Sequence, residues 1–181
     1  MSEAIFNKIY ECLSQNGAKF RVINHESAGT SESVAAARGT HLGQGAKALV
    51  CTIKGVSGSF LAENFGILSQ KESVKVNVIA ILPADHSANL ERLAAVFGAK
   101  KASLASPAEV TELTDCVFGS IPPFSFDERL LLVVDKKLFG RFSEIAFNAG
   151  LLDRSIVLNA EDYLRIVKPK LVDFADKTPS L

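Results

Sequence analysis

Residues 74–81 constrain the fold of this chain more than any other stretch. Val74, Val76, Val78 and Ala80 alternate along one face, while Ile79 and Ile81 fill the opposite one. Side chains on a strand alternate with period two. A strand that becomes apolar on both faces belongs at the centre of a sheet, with neighbours on either edge and cover above and below. The rest of the chain has to supply those neighbours and that cover.

The surrounding patterns do so. Ile5, Ile9 and Leu13 recur every four residues, with Phe6 and Tyr10 beside them, which predicts an amphipathic helix ending near Gly17. Phe20 and Val22 predict a short strand. Thr30 or Ser31 is placed to cap a helix through residues 35–37 that Gly39 terminates. Gly43-Gln44-Gly45 then leads into a β-prone run, and a strand is expected over 47–53. Residues 55–73, rich in Gly and Ser, read as a long hairpin connection or an insertion. Leu90, Leu93, Ala94 and Phe97 form a helical stripe ending at Gly98. Ser106-Pro107-Ala108-Glu109 is a helix start, with Ser at the cap, Pro in the first position and Glu three after the cap. Residues 130–134 and 155–158 read as further strands. Asn159 caps a last helix through Arg165, before Pro169 and a polar tail over 169–181. The expectation is one mixed α/β (α+β) domain over 1–181 with a central sheet.

Charge narrows the function classes. The chain has 20 basic and 20 acidic residues among 181. Grip on a long duplex requires a basic excess, because affinity comes from neutralising phosphates. Duplex DNA is therefore a poor partner, whereas a short single-stranded end is compatible. The three cysteines, Cys12, Cys51 and Cys116, are widely spaced and form no C-x-x-C pair, so neither a zinc ribbon nor a disulfide framework is indicated. No basic segment followed by an apolar run opens the chain, and no apolar stretch approaches the roughly 20 residues of a membrane span. A cytoplasmic protein with no membrane partner is expected.

A few residues stand out as candidates for chemistry. Lys47 shares a strand face with Leu49, Cys51 and Ile53, which puts an ammonium at the end of an apolar stripe. A lysine there either faces an anionic or carbonyl partner or extends its stem to reach water. Cys116-Val117-Phe118-Gly119-Ser120-Ile121-Pro122-Pro123-Phe124 combines a glycine that permits close backbone approach with two stiffening prolines. It reads as a rigid ligand-facing loop or as an ordinary turn. Asn148-Ala149-Gly150 reads as a small-residue turn in which Asn orients a substrate or caps the turn. His25 falls at a possible pocket rim; His41 and His86 read as surface loop residues. No nucleophile elbow, Walker loop, H-E-x-x-H or metal-spaced carboxylate cluster is present. Nothing marks Cys51 or Cys116 as an activated thiol.

In their order and spacing these segments resemble the YbaK and prolyl-tRNA synthetase editing-domain superfamily. Gly45-Ala46-Lys47-Ala48-Leu49-Val50 resembles its catalytic-lysine segment. Gly119-Ser120-Ile121-Pro122-Pro123-Phe124 is similar to its G-x-x-x-P loop, with Gly119 and Pro123 at the defining positions. Residues 102–110 and 144–150 are similar to the segments before and after that loop. The resemblance covers about residues 20–168 and is strongest to the stand-alone YeaK branch. It implies a central mixed, curved β-sheet flanked by helices, with no metal or other cofactor. It implies an aminoacyl-tRNA deacylase that acts on the acceptor end of mischarged tRNA, with an aminoacyl-tRNA synthetase as a candidate partner and Ser, Thr or Ala as the acyl group. Carried across, Lys47 and Gly119 are the catalytic positions, and His25, Thr30, Ser120, Pro123, Asn148 and Gly150 the substrate-binding ones. The segment after His25 lacks the aromatic that lines the amino-acid pocket of some relatives, and residues 56–73 are longer than the matching hairpin. Two other readings fit the same residues: a non-catalytic module that holds tRNA or a partner protein, and a hydrolase of small esters.

Overall fold

The computed structural model describes residues 3–28 and 30–178. Its elements run α1 (Glu3–Gln15), β1 (Phe20–Asn24), α2 (Ser31–Arg38), β2 (Ala46–Ser57), α3 (Gly58–Phe65) and β3 (Ser73–Pro83). Then come β4 (His86–Ala88), α4 (Leu90–Val96), β5 (Lys101–Leu104), α5 (Pro107–Thr114) and β6 (Leu130–Asp135). The chain ends with β7 (Glu144–Leu151), β8 (Arg154–Asn159), α6 (Ala160–Val167), β9 (Lys170–Val172) and β10 (Ala175–Lys177).

The largest sheet has the order β5-β2-β3-β6-β9, so β3 sits at its centre as the two-faced pattern requires. β3 is antiparallel to β2 and parallel to β6. Its alternation divides the interior. Ile79 and Ile81 join a core with α1, α5, α6, β7 and β8, while Val78, Ala80 and Leu82 join a second core with Leu61, Leu93, Phe97 and Phe174. All five of these β3 side chains are fully buried. Enclosing a large aliphatic side chain stabilises by about 1.5–3 kcal/mol, so this strand alone contributes much of the sheet's cohesion. A second sheet, β1-β8-β7, is antiparallel throughout. A single bridge between Gly45 and Ala146 ties it to the start of β2. Helices pack on both faces of the mixed sheet.

Local signals place several boundaries. Thr30 caps α2 by accepting from the Ser33 amide at 3.1 Å, and Gly39 ends it in the left-handed region at φ 71°. Ser106 and Glu109 form the reciprocal cap of α5. Other segments differ from the sequence reading. The 55–73 connection does join two strands of a hairpin, but β2 runs on to Ser57 and the connection contains α3, capped by Ser57 and ended by Gly66. The stretch over 148–150 is part of β7 rather than a turn; Asn148 pairs with Ser155, and the register slips between Asn148 and Leu151, where Gly150 adopts φ 84°. His86 is buried in β4, not in a surface loop.

The expected polar tail, as far as residue 178, is also structured. β9 extends the large sheet beside β6, and β10 pairs with β4. The fully buried Asp135 carboxylate explains the docking. It accepts the amides of Phe174 and Ala175, each at 2.8 Å, and that of Lys137 at 2.8 Å. Without it these donors lose a strong acceptor. Asp135→Ala is therefore expected to lower unfolding free energy by about 3–5 kcal/mol, read as a fall in the urea midpoint with hydrogen exchange accelerating first over 170–177.

Candidate active site

A cavity of about 230 Å³ opens where the start of β2 meets α2, β7 and the loop after α5. α2 forms one wall with Ser31, Val34, Ala35 and Arg38, which recur at the three-to-four-residue spacing of a single helix face. Gly45 and the start of β2 from Ala46 to Ala48, including Lys47, form another wall; the loop contributes Gly119 and Ile121, and β7 contributes Asn148. Thr30 lies at the rim.

Lys47 is half-buried, and its Nζ donates to the His86 carbonyl at 2.7 Å. Burial lowers its pKa from the ordinary lysine value, against the opposing fields of Glu32 and Asp85. Asp85 itself is committed elsewhere. Arg141 clamps it through two bonds of 2.6 and 3.0 Å, and His86 Nδ1 stands 2.8 Å from its Oδ1. The Arg141 hydrogen bond, assisted by His86, holds the carboxyl well below the usual carboxylate range. Lys47 thus has a carbonyl partner but, among the described residues, no carboxylate in contact. An ammonium carries three donors, so two remain for a ligand.

Arg38 shares this condition. Its Nε donates to Ser155 Oγ at 2.7 Å and its Nη2 to Asn148 Oδ1 at 2.9 Å. Among the described residues no carboxylate pairs with it. Desolvation depresses its pKa from 12.5 to about 10, which disfavours the charged form by about 3 kcal/mol. Ser155, fully buried on β8, also contacts His25 Nε2 at 2.7 Å and donates to Asn148 Oδ1 at 3.0 Å. With its oxygen held by Arg38 and Ser155, the Asn148 amide directs Nδ2 to the Gly119 carbonyl at 2.7 Å.

The Gly119 loop is fixed from several directions. Residues 117–120 make a turn in which the Ser120 amide and hydroxyl both donate to the Val117 carbonyl, at 3.1 and 2.8 Å. Gly119 occupies its third position at φ 86°, where glycine is favoured. A Cβ there would stand 3.4 Å from Leu152 Cδ2, so the demand for glycine is conformational more than spatial. The Gly150 amide donates to the Ser120 carbonyl at 2.9 Å, and Tyr163 donates its hydroxyl to the Pro123 carbonyl at 2.5 Å. Among the described residues nothing accepts the Gly119 amide.

Of the residues singled out from sequence, Thr30, Lys47, Gly119 and Asn148 line the cavity. His25, Ser120, Pro123 and Gly150 do not; they brace the residues that do. Arg38 escaped the sequence reading because an arginine in the last turn of a helix looks like a partner of the helix dipole. Its place seven residues after Ser31 and four after Val34 was the available signal. Ser155 was read only as part of a strand.

A mixed sheet with a lysine at a strand mouth and a glycine–proline loop beside it defines a class that comparison also reaches. The chain belongs to the aminoacyl-tRNA editing domain family, whose pattern matches residues 25–166. Over 167 residues it is 54% identical to the Multifunctional Ser/Thr-tRNA deacylase ProXp-y of Escherichia coli strain K12, covering 92% of this chain and 90% of that protein. The same figures hold for the protein of that name from Escherichia coli O157:H7. Among solved structures, the fold is similar to a candidate trans-editing enzyme for prolyl tRNA synthetase, with TM-score 0.69 and 19% identity over 95% of this chain and 97% of that one. A hypothetical protein of known structure gives TM-score 0.72 at 19% identity, over 93% and 99% of the two chains.

The Arg38 environment makes a distinct prediction about stability. Since burial of this cation opposes folding, Arg38→Met is expected to unfold at the same or a higher urea midpoint than wild type. A loss above about 2 kcal/mol would show that its charged hydrogen bonds outweigh desolvation and that it chiefly holds the fold.

Proposed function

We propose that this chain is a trans-editing aminoacyl-tRNA deacylase, hydrolysing the ester between a small or hydroxyl-bearing amino acid (Ser, Thr or Ala) and the terminal ribose of mischarged tRNA. The observation that carries the reading is the convergence on one cavity of the fixed Gly119 turn and two cations, Lys47 and Arg38, that contact no carboxylate among the described residues. The name of the Escherichia coli relative supports the substrate class. So does size: about 230 Å³ falls below the roughly 300–1,000 Å³ of pockets that enclose drug-sized ligands. The acyl group fits inside and the nucleotide stays at the mouth.

The reaction needs only positioning and electrostatics. A water oxygen attacks the ester carbonyl carbon, negative charge gathers on the carbonyl oxygen, and the bond to the ribose oxygen breaks. That oxygen takes a proton, and free amino acid and tRNA leave. The Lys47 ammonium and the unused Gly119 amide are the donors available to the developing oxyanion. A fixed donor at that position contributes about 10²–10³ in rate. Arg38 holds Asn148, which in turn holds the Gly119 carbonyl, so the loop does not have to be ordered at the moment of reaction. The near-neutral surface gives little affinity for the tRNA body, which favours a synthetase partner that presents the substrate, in the cytoplasm where charging occurs.

The test is deacylation of a panel of mischarged tRNAs. Turnover of Ser-, Thr- or Ala-tRNA is expected, falling at least 100-fold in Lys47→Ala and at least tenfold in Arg38→Met. Binding of tRNA without turnover of any pair would instead identify a holding module. Hydrolysis of free small esters that tRNA fails to inhibit would identify an unrelated esterase.

The pH profile separates the two roles open to Lys47. With the ammonium as the working form, the rate, corrected for spontaneous hydrolysis, declines as pH rises through its depressed pKa. A lysine acting as base would make the rate climb through the same range.

A further inference from the structure

Phe118 is the second residue of the turn that ends at Ser120, and it is 58% exposed beside a 51% exposed Val117. Large apolar side chains on a rigid turn beside a cavity are an expense in solubility that a purely structural turn does not need. The turn is not floppy. It is closed by the two bonds from Ser120 to the Val117 carbonyl, and tied to β7 through Asn148 and Gly150. The next residue, Gly119, lines the cavity, so Phe118 sits one residue from the cavity wall on the same turn. Other exposed apolar side chains, such as Leu68 and Leu104, lie on segments that contribute nothing to the cavity.

We infer that Phe118 is a stacking platform for an unpaired nucleobase of the tRNA 3′ end. The choice of ligand rests on the deacylase reading above. The chemistry follows from three facts together. The substrate's terminal nucleotides are single-stranded, and their bases have free π-faces. Basic and acidic residues balance at 20 each, so long-range attraction for the phosphate backbone is weak. Stacking on an aromatic side chain supplies affinity that is tolerant of sequence and needs no basic groove. A preordered turn loses little entropy on capturing a base.

The chain contains no tryptophan, so Phe118→Trp places a single fluorescent reporter at the platform. Titration of this full-length variant with the unacylated trinucleotide cytidylyl-cytidylyl-adenosine should quench its emission saturably, with little change when salt is raised. This readout does not depend on catalysis, so it stands or falls separately from the deacylase reading. With mischarged tRNA, Phe118→Ala should raise KM about tenfold, the loss falling on KM rather than kcat. Phe118→Tyr should restore KM. Leu68→Ser, remote from the cavity, should leave KM unchanged. Thermal unfolding verifies that the variants are folded. Absence of quenching together with unchanged KM in Phe118→Ala overturns the inference. Quenching by a purified aminoacyl-tRNA synthetase but not by the trinucleotide overturns it too, and makes the tip a protein-docking surface.

Discussion

At Gly45 the start of β2 passes so close to its surroundings that a Cβ would lie 2.9 Å from the Ala84 Cβ and 3.2 Å from the Leu42 carbonyl. Its backbone is ordinary, at φ −65°; contact alone excludes a side chain. That approach lets Gly45 bridge to Ala146 and Ala84 donate its amide to the Gly45 carbonyl at 2.8 Å. The large and small sheets are joined there, and the cavity lies along the join. Lys47 follows two residues later on one side, and Asn148 two residues after Ala146 on the other. The spacing of these groups is thus set by strand geometry, at 3.2–3.4 Å per residue, and does not depend on loop conformations.

Beside the join, two cations contact no carboxylate among the described residues. Asp85 lies close enough to influence Lys47 but is bound to Arg141 and His86. Arg38 faces an amide and a hydroxyl rather than an acid. Neutral acceptors orient a guanidinium without cancelling its charge. A carboxylate in either place would improve the unbound protein and weaken its field in the cavity, since an opposite charge at short range dominates in a partly desolvated site. The arrangement trades stability for a preorganised positive region, a pattern common where function and folding compete.

How much of this was legible in the sequence varied with how local the cause was. The caps at Thr30 and Ser106, the glycine terminus at Gly39 and the central place of β3 depend on neighbours in sequence and could be read from it. β7 was missed at its functional end because Asn148-Ala149-Gly150 has the composition of a turn, while its conformation is fixed by pairing with β8. The fate of residues 170–177 depended on Asp135, some 40 positions earlier, accepting two of their amides. His86 pairs with Lys177 on β10, a neighbour distant in sequence. Lys47 and Gly119 stood out by strand pattern and loop composition, but those patterns alone left a solvent-reaching lysine and an ordinary turn as the plainer readings; the family resemblance supplied their catalytic assignment. Helix spacing from Ser31 and Val34 could have put Arg38 on the cavity face of α2, but its contacts with Asn148 and Ser155 come from the three-dimensional meeting of α2, β7 and β8, which no local pattern encodes.

A small cavity and a neutral exterior together bear on selectivity. A protein that encloses only the acyl group, and reads the nucleotide through an unpaired end common to all tRNAs, has few contacts with which to tell one tRNA body from another. Its discrimination has to come from the acyl group. Adding or removing one methylene in such a pocket changes binding by only about 1–3 kcal/mol, so a cavity that admits seryl is poorly able to refuse threonyl. A hydroxyl is different in kind. Where a polar cavity wall is built to bond it, losing the hydroxyl leaves wall groups unpaired, and rejection is far stronger. The walls at Arg38, Lys47 and Asn148 are polar, whereas Val34, Ala35 and Ala48 are not. Which wall the acyl side chain faces therefore decides whether alanyl is accepted with seryl and threonyl or excluded from them.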